Sequence, residues 1–211
     1  MPKAIFFDLD GTITDSGEGI INSAIYALEH FGITPPSREE MRVFVGPPLR
    51  DTFYRFGIPK DQLEEAIKVY RERYIPTGIF ENHPYRGIES LLQALREQGN
   101  TLFVATSNPE WMAKTVLDRF DLSKHFQFIA GATMDGSRDD KSSVIGYLLM
   151  QLAEKQDTVM IGDTSFDVIG ASAHGIPTIG VSWGYGSRDE LLQAGAIAIA
   201  DTPEELLNLL Q

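Results

Sequence analysis

The sequence predicts an α/β fold, a doubly wound parallel sheet with an inserted all-helical segment, and three observations carry that prediction. Short apolar runs of strand length recur at residues 4–7, 102–105, 126–130, 159–161 and 178–181, each apolar on both faces. Amphipathic stretches of helical spacing lie between and after them. Residues 16–83 interrupt the alternation with consecutive helical patterns and no convincing strand. Strands apolar on both faces need cover on both sides, which helices provide.

Taken in order, the run at 4–7 opens the sheet and ends in Asp8-Leu9-Asp10-Gly11-Thr12. Helices are then expected over 20–31, 38–44, 50–56 and 62–74, separated by Gly and Pro. Ile88, Leu91, Leu92 and Leu95 mark the next helix. Val144, Ile145, Leu148, Leu149 and Leu152 mark another over 142–153, and Leu206, Leu207 and Leu210 the last. The expected division is a core of residues 1–15 and 84–211, with 16–83 as a helical cap domain. Because that insertion leaves and returns beside the Asp8 loop, it is placed to cover the loop and exclude water.

The 211 residues, 43% hydrophobic and 23% charged, suffice for a real core in a soluble globular protein. The absence of cysteine removes disulfides, thiolate metal sites and a cysteine nucleophile, and fits the cytoplasm. Met1-Pro2-Lys3 leads into an apolar run too short for a secretory leader or a membrane span, so a cytoplasmic protein is expected. A net charge of −12 with no basic run argues against nucleic-acid binding. It also repels small phosphate esters at long range. A phosphate site must therefore carry local positive charge: a cation, a basic side chain or a helix N-terminus.

In open parallel sheets, ligands bind beyond the carboxyl ends of the strands, where the polar motifs of this chain fall. Asp8 and Asp10 follow the first strand, and their alternation puts both carboxylates on one side. A plain turn with carboxylates accepting backbone N–H groups is the bland reading; a calcium loop fails on spacing. Asp163 and Asp167 follow the fourth strand, and capping of a helix starting near Thr164 would explain both. As ligands, they would complete with Asp8 an oxygen-rich site suited to Mg²⁺. Thr106-Ser107-Asn108-Pro109-Glu110 reads as a strand end and helix start, with Asn108 as N-cap and Pro109 in the first helical position. Such a terminus also binds phosphate oxygens. Lys141 opens a helix against the helix dipole, which a surface lysine tolerates easily. His30, His83, His125 and His174 have no ligand spacing and read as ordinary surface or interface residues. The glycine-rich run Gly180–Gly186 lacks a dinucleotide fingerprint and reads as a loop near the site rim.

In order along the chain, Asp8-Leu-Asp10-Gly11-Thr12, the helical insertion, Thr106, Lys141 and Gly162-Asp163 through Asp167 resemble the haloacid dehalogenase superfamily, specifically its phosphoglycolate phosphatase-like branch. The resemblance implies a Rossmann-like core, a Mg²⁺ cofactor and a small phosphorylated metabolite as substrate. It implies Asp8 as nucleophile through an aspartyl-phosphate and Asp10 as acid and base. It implies Lys141 as the neutralising cation, and Thr106 and the Ser107 amide as phosphate binders. The implied metal ligands are the Asp8 and Asp163 side chains and the Asp10 carbonyl, with Asp167 more often behind them. Thr12 is expected to fix the two carboxylates of its own loop. Asp10 argues against dehalogenase and phosphonate hydrolase chemistry. Leu49, where related sugar phosphomutases carry Arg, argues against a mutase, with Arg50 next door. Gly46, Pro47, Arg50 and Phe53 are the expected specificity residues of the cap. A 5'-nucleotidase, a mutase and a slow phosphate-sensing module stay as alternatives, and oligomeric state is left open.

Overall fold

The computed structural model describes residues 3–152 and 157–211, so the expected end of the helix at Ala153 lies outside the described residues. The first half of the chain forms β1 (Ala4–Phe7), β2 (Thr14–Asp15), α1 (Gly17–His30), α2 (Leu49–Arg55), α3 (Leu63–Tyr74), β3 (His83–Pro84) and α4 (Ile88–Glu97). The second half forms β4 (Thr101–Pro109), α5 (Glu110–Arg119), β5 (Phe126–Ala132), α6 (Lys141–Leu149), β6 (Thr158–Gly162) and α7 (Ser165–Ser172). It ends with β7 (Thr178–Val181), α8 (Arg188–Ala194), β8 (Ala198–Ala200) and α9 (Pro203–Leu209).

Six strands make one sheet in the order β5-β4-β1-β6-β7-β8, with every neighbouring pair parallel. The chain winds outward from β1 through β4 to β5, then returns to the other side of β1 at β6. That reversal leaves a crevice beyond the carboxyl ends of β1 and β6. Residues of β1 alternate between two cores, Ile5 and Phe7 facing one and Ala4 and Phe6 the other. Phe6 meets Phe103 edge to face at 5.5 Å between ring centres. Burial of each such ring contributes about 1.5–3 kcal/mol, so the central strand is held from both faces.

The antiparallel pair β2–β3 ties together the two ends of the helical segment, joining Thr14 to Pro84 and Asp15 to His83. Between them, α1, α2 and α3 share the core that also contains Phe7 and Leu9. Aromatic side chains fill this segment. Phe44 lies 5.1 Å from Phe53, and Tyr70 stacks on Tyr74 at 5.2 Å.

Several expectations need correcting. Residues 38–44 contain a 3₁₀ helix, Glu40–Phe44, in place of an α-helix. Pro35-Pro36 before it and Gly46-Pro47-Pro48 after it leave too little chain for more. The strand expected to end at 105 runs on to Pro109 through a register shift against β5, so Thr106, Ser107 and Asn108 belong to it. Pro109 takes the N-cap position of α5, with φ −51° and ψ 132°, and Asn108 is not the cap. Strand β8 escaped prediction because its Ala198-Ile199-Ala200 offers one branched side chain. His125 is buried, held in a 3₁₀ turn beneath α5. No helix among the described residues is long and apolar enough to cross a membrane.

Candidate active site

The crevice floor is built by three elements of chain. The loop after β1 supplies Asp8 and Asp10, the loop after β6 and the first turn of α7 supply Asp163 and Asp167, and the first residue of α6 supplies Lys141. Asp8, Asp163 and Asp167 are all buried, and one carboxylate oxygen of each lies within 4.8 Å of the others. Lys141 Nζ sits between two of them, 2.7 Å from Asp8 Oδ1 and 2.7 Å from Asp167 Oδ1. It also donates to the Ala105 carbonyl at 2.9 Å. A lysine only 5% exposed is not the surface lysine that helix-dipole tolerance allowed for. Burial pulls its pKa down, but the charges of Asp167 and Asp8 outweigh that and hold it above the ordinary lysine value.

Asp8 Oδ1 accepts the Leu9 N–H at 2.7 Å as well as facing Lys141, while Oδ2 makes no hydrogen bond among the described residues. Burial raises the Asp8 pKa well above the usual range; Lys141 opposes that rise, and the charges of Asp167 and Asp163 add to it. Asp163 is pushed up to about 7 by burial, with Asp167 adding to the effect. Three carboxylates closing on one point with a single lysine beside them are short of positive charge. All the donors are hard oxygens, so the residues present fit a divalent cation such as Mg²⁺.

Local sequence makes room for this cluster. Gly11 has φ +87°, and a Cβ there would fall 2.1 Å from Asp163 Oδ2. Only glycine satisfies both the left-handed turn and the close approach. A Cβ on Gly184 would meet the same oxygen at 2.3 Å. The glycine-rich loop after β7 is thus a wall of the acidic site, closer than the rim. Tyr185 N–H donates to Asp163 Oδ2 at 2.8 Å and Trp183 Nε1 to the Thr12 carbonyl at 3.1 Å. Thr12 Oγ1 donates to Asp163 Oδ1 at 2.9 Å, so this threonine fixes the distant carboxylate, correcting the expectation that it fixes Asp8 and Asp10.

Asp167 performs the capping role as well. Its Oδ2 accepts Thr164 N–H at 3.0 Å and Thr164 Oγ1 at 2.8 Å, while Oδ1 faces Lys141. Both of its oxygens are engaged, which suits a residue standing behind the metal ligands.

Asp10 is buried, and burial raises its pKa; the nearby Ser16 hydroxyl and the charge of Lys141 oppose the rise. Asn108 Nδ2 donates to Asp10 Oδ2 at 2.5 Å, and Oδ1 makes no hydrogen bond among the described residues. Asn108 is a site residue that the capping pattern concealed. Thr106 Oγ1 accepts Asn108 N–H at 3.1 Å, which leaves its own proton free to donate into the cavity.

Above this floor lies a cavity of about 370 Å³, lined by Asp8, Asp10, Thr106 and Ser107 from the sheet and by residues of the helical segment. That size fits a small organic molecule. Gly46, Pro47 and Arg50, expected as specificity residues, are among those that line it. Phe53 does not, because it is fully buried against Phe44 in the segment's own core. Tyr70, Arg71 and Tyr74 of α3 line it too, and sequence reading passed over them. Their signal was the spacing of Ile67, Tyr70, Arg71 and Tyr74, which puts all four on one helix face.

Residues 5–181 match the family described as haloacid dehalogenase-like hydrolase. The chain belongs to that family. It is 42% identical over 189 residues to a 5'-nucleotidase of Pseudomonas aeruginosa, covering 89% of this chain and 86% of the relative. It is 31% identical to a phosphoglycolate phosphatase of Agrobacterium fabrum, covering 87% and 82% respectively. It is 44% identical to the tyrosine-protein kinase PtkA of Mycobacterium tuberculosis, where the match takes in 89% of this chain but only 65% of the kinase. Among solved structures, a predicted phosphatase from Clostridium acetobutylicum superposes with a TM-score of 0.96 at 40% identity, covering 100% of this chain and 98% of that one. The haloacid dehalogenase-type core and the phosphatase class anticipated from the motifs both hold.

Proposed function

We propose that this phosphatase is a Mg²⁺-dependent hydrolase of small phosphate monoesters that works through an aspartyl-phosphate on Asp8, with residues 16–83 as its cap domain. The observation that carries the reading is the division of labour between neighbouring carboxylates. Asp8 is steadied on Oδ1 by Leu9 N–H and Lys141, with Oδ2 free to attack. Asp10 keeps Oδ1 unpartnered, and its raised pKa favours the protonated form. In the first step Asp8 Oδ2 bonds to phosphorus, the ester P–O bond breaks, and the Asp10 proton goes to the leaving oxygen. In the second, Asp10 takes a proton from water as the water oxygen attacks phosphorus, and the Asp8–phosphorus bond breaks to release phosphate. Thr106 Oγ1 and the Ser107 amide hold phosphoryl oxygens, and Lys141 offsets charge on Asp8. Held by Asp8, Asp163 and the Asp10 carbonyl, with Asp167 behind, Mg²⁺ would neutralise the repulsion between a phosphate dianion and the acidic floor.

Phosphoglycolate-like esters are the leading substrates on this reading. The 42% identity to a 5'-nucleotidase favours nucleoside monophosphates as a second class. Phosphate release from phosphoglycolate, nucleoside monophosphates, hexose phosphates and an aryl phosphate, with Mg²⁺ and with chelator, tests the proposal. Mg²⁺-dependent release is expected. Release unaffected by chelator would overturn the metal assignment. Phosphate moving within a hexose without net release would point to a mutase, and a long-lived phosphoenzyme without turnover to a sensing module.

A further inference from the structure

The face of α3 that looks into the cavity carries an unexplained charge. Tyr70 and Tyr74 on that face are buried, and the turn between them places Arg71 beside them on the cavity wall. Of the two basic side chains lining the cavity, Arg50 is paired with Glu64. Arg71 has no carboxylate partner among the described residues, although it is half-buried and burial draws its pKa down. An unpaired guanidinium held out of water next to apolar rings is unfavourable unless something anionic meets it. The Tyr74 hydroxyl, on a side chain 2% exposed and one helical turn further on, instead reaches down beside Asn108 and Asp10 and belongs to the floor. One unpaired cation, Arg71, therefore faces a cavity whose floor is acidic. The scissile phosphate belongs at the floor, beside Asp8, Thr106 and Ser107. Arg71 on α3 is left to the rest of the substrate.

We propose that Arg71 is the specificity determinant for the leaving group, and that preferred substrates carry a second anionic group there, a carboxylate or a second phosphate. This deepens the phosphomonoesterase reading and rests on it. An anion supplies acceptors for the guanidinium fork. A neutral leaving group would leave Arg71 desolvated and unpaired. The acidic side chains at the cavity mouth, Asp135 and Asp139, are exposed and well solvated, so they do not substitute for that anion.

Binding to an Asp8→Asn protein, which cannot form the phosphoenzyme, tests this without relying on turnover. Calorimetric titrations in Mg²⁺ would compare phosphoglycolate with ethyl phosphate, and 3-phosphoglycerate with glycerol 3-phosphate. In at least one pair the acid should bind about tenfold or more tightly than its neutral partner, the scale of a hydrogen bond to a charged group. Adding Arg71→Ala should bring that ratio close to one, with Arg71→Lys between. Equal affinities within both pairs, or a ratio that survives Arg71→Ala, would overturn the proposal. Circular dichroism on each variant separates loss of recognition from loss of fold. If the ratio behaves as expected but the wild-type protein releases no phosphate from any ester, the catalytic reading fails while the recognition site stands.

Discussion

The floor and the helical wall of the cavity solve opposite problems. On the floor, buried charged groups answer one another: Lys141 lies between Asp8 and Asp167, and Asp163 is held by Thr12 and Tyr185. On the wall, Arg71 lines the cavity with no carboxylate partner among the described residues. The floor is fixed before any ligand arrives, as phosphoryl chemistry requires of groups that must be oriented in advance. The wall is completed by the ligand. Lesions in the floor should therefore damage both chemistry and stability, whereas lesions in the wall should change which molecule is chosen.

The largest expected effect is on the floor. Asp8→Asn should lower phosphate release by about 10⁴-fold or more, since an amide oxygen is a poor nucleophile. Appreciable release by that variant would remove Asp8 from its role and leave the floor without a nucleophile. Lys141→Met sharpens the contrast through stability. With its partner gone, the Asp8–Asp167 pair is buried and unbalanced, a loss on the order of 3–5 kcal/mol in denaturant unfolding without metal. Arg71→Ala should change stability by only about 0.5 kcal/mol in either direction. Similar losses in the two variants would erase the distinction between floor and wall. Asn108→Leu is milder: it removes the amide that fixes Asp10 Oδ2 while keeping volume, and a loss of about tenfold in kcat is expected. An unchanged kcat would show that Asp10 is positioned without it.

The same contrast governs what could be read from sequence. Floor residues sit in short motifs at strand ends, where backbone direction alone brings Asp8 and Asp163 to neighbouring strands of one sheet edge. The central sheet was legible because β1, β6 and β7 are apolar on both faces. Lys141 was legible only through its place in the ordered set, since nothing local distinguishes a buried lysine from a surface one. Asn108 was misread because Asn before Pro-Glu also fits a helix cap, and only the extra residues of β4 turn it toward Asp10. On the wall, Tyr70 and Tyr74 look like any helix core, and Arg71 like any snorkelling arginine. Their meaning depends on how α3 meets the sheet, a contact far apart in sequence. Phe53 is expected to face the site from its segment, and packing against Phe44 holds it in the segment's own core instead.

The smallest effect expected is also the one that tests the charge deficit of the floor directly. Asp163 is an ordinary carboxyl in the unfolded chain and titrates near 7 in the folded one. Between those values the folded protein holds the extra proton. Stability contributed by that proton is present at low pH and is lost as pH rises through 7. Above pH 7 the metal-free floor holds its carboxylates charged against one another, and a divalent cation then has most to offset. Mg²⁺ binding must also displace fewer protons there. Mg²⁺ should therefore raise Tm more at pH 8 than at pH 5.5, by a margin of a few degrees in thermal unfolding with and without chelator. An equal rise at both pH values would mean that the cation does not compete with protons on these carboxylates. No rise at either would place the cation somewhere other than between Asp8 and Asp163, and the contrast between a charge-starved floor and a ligand-completed wall would have to be abandoned.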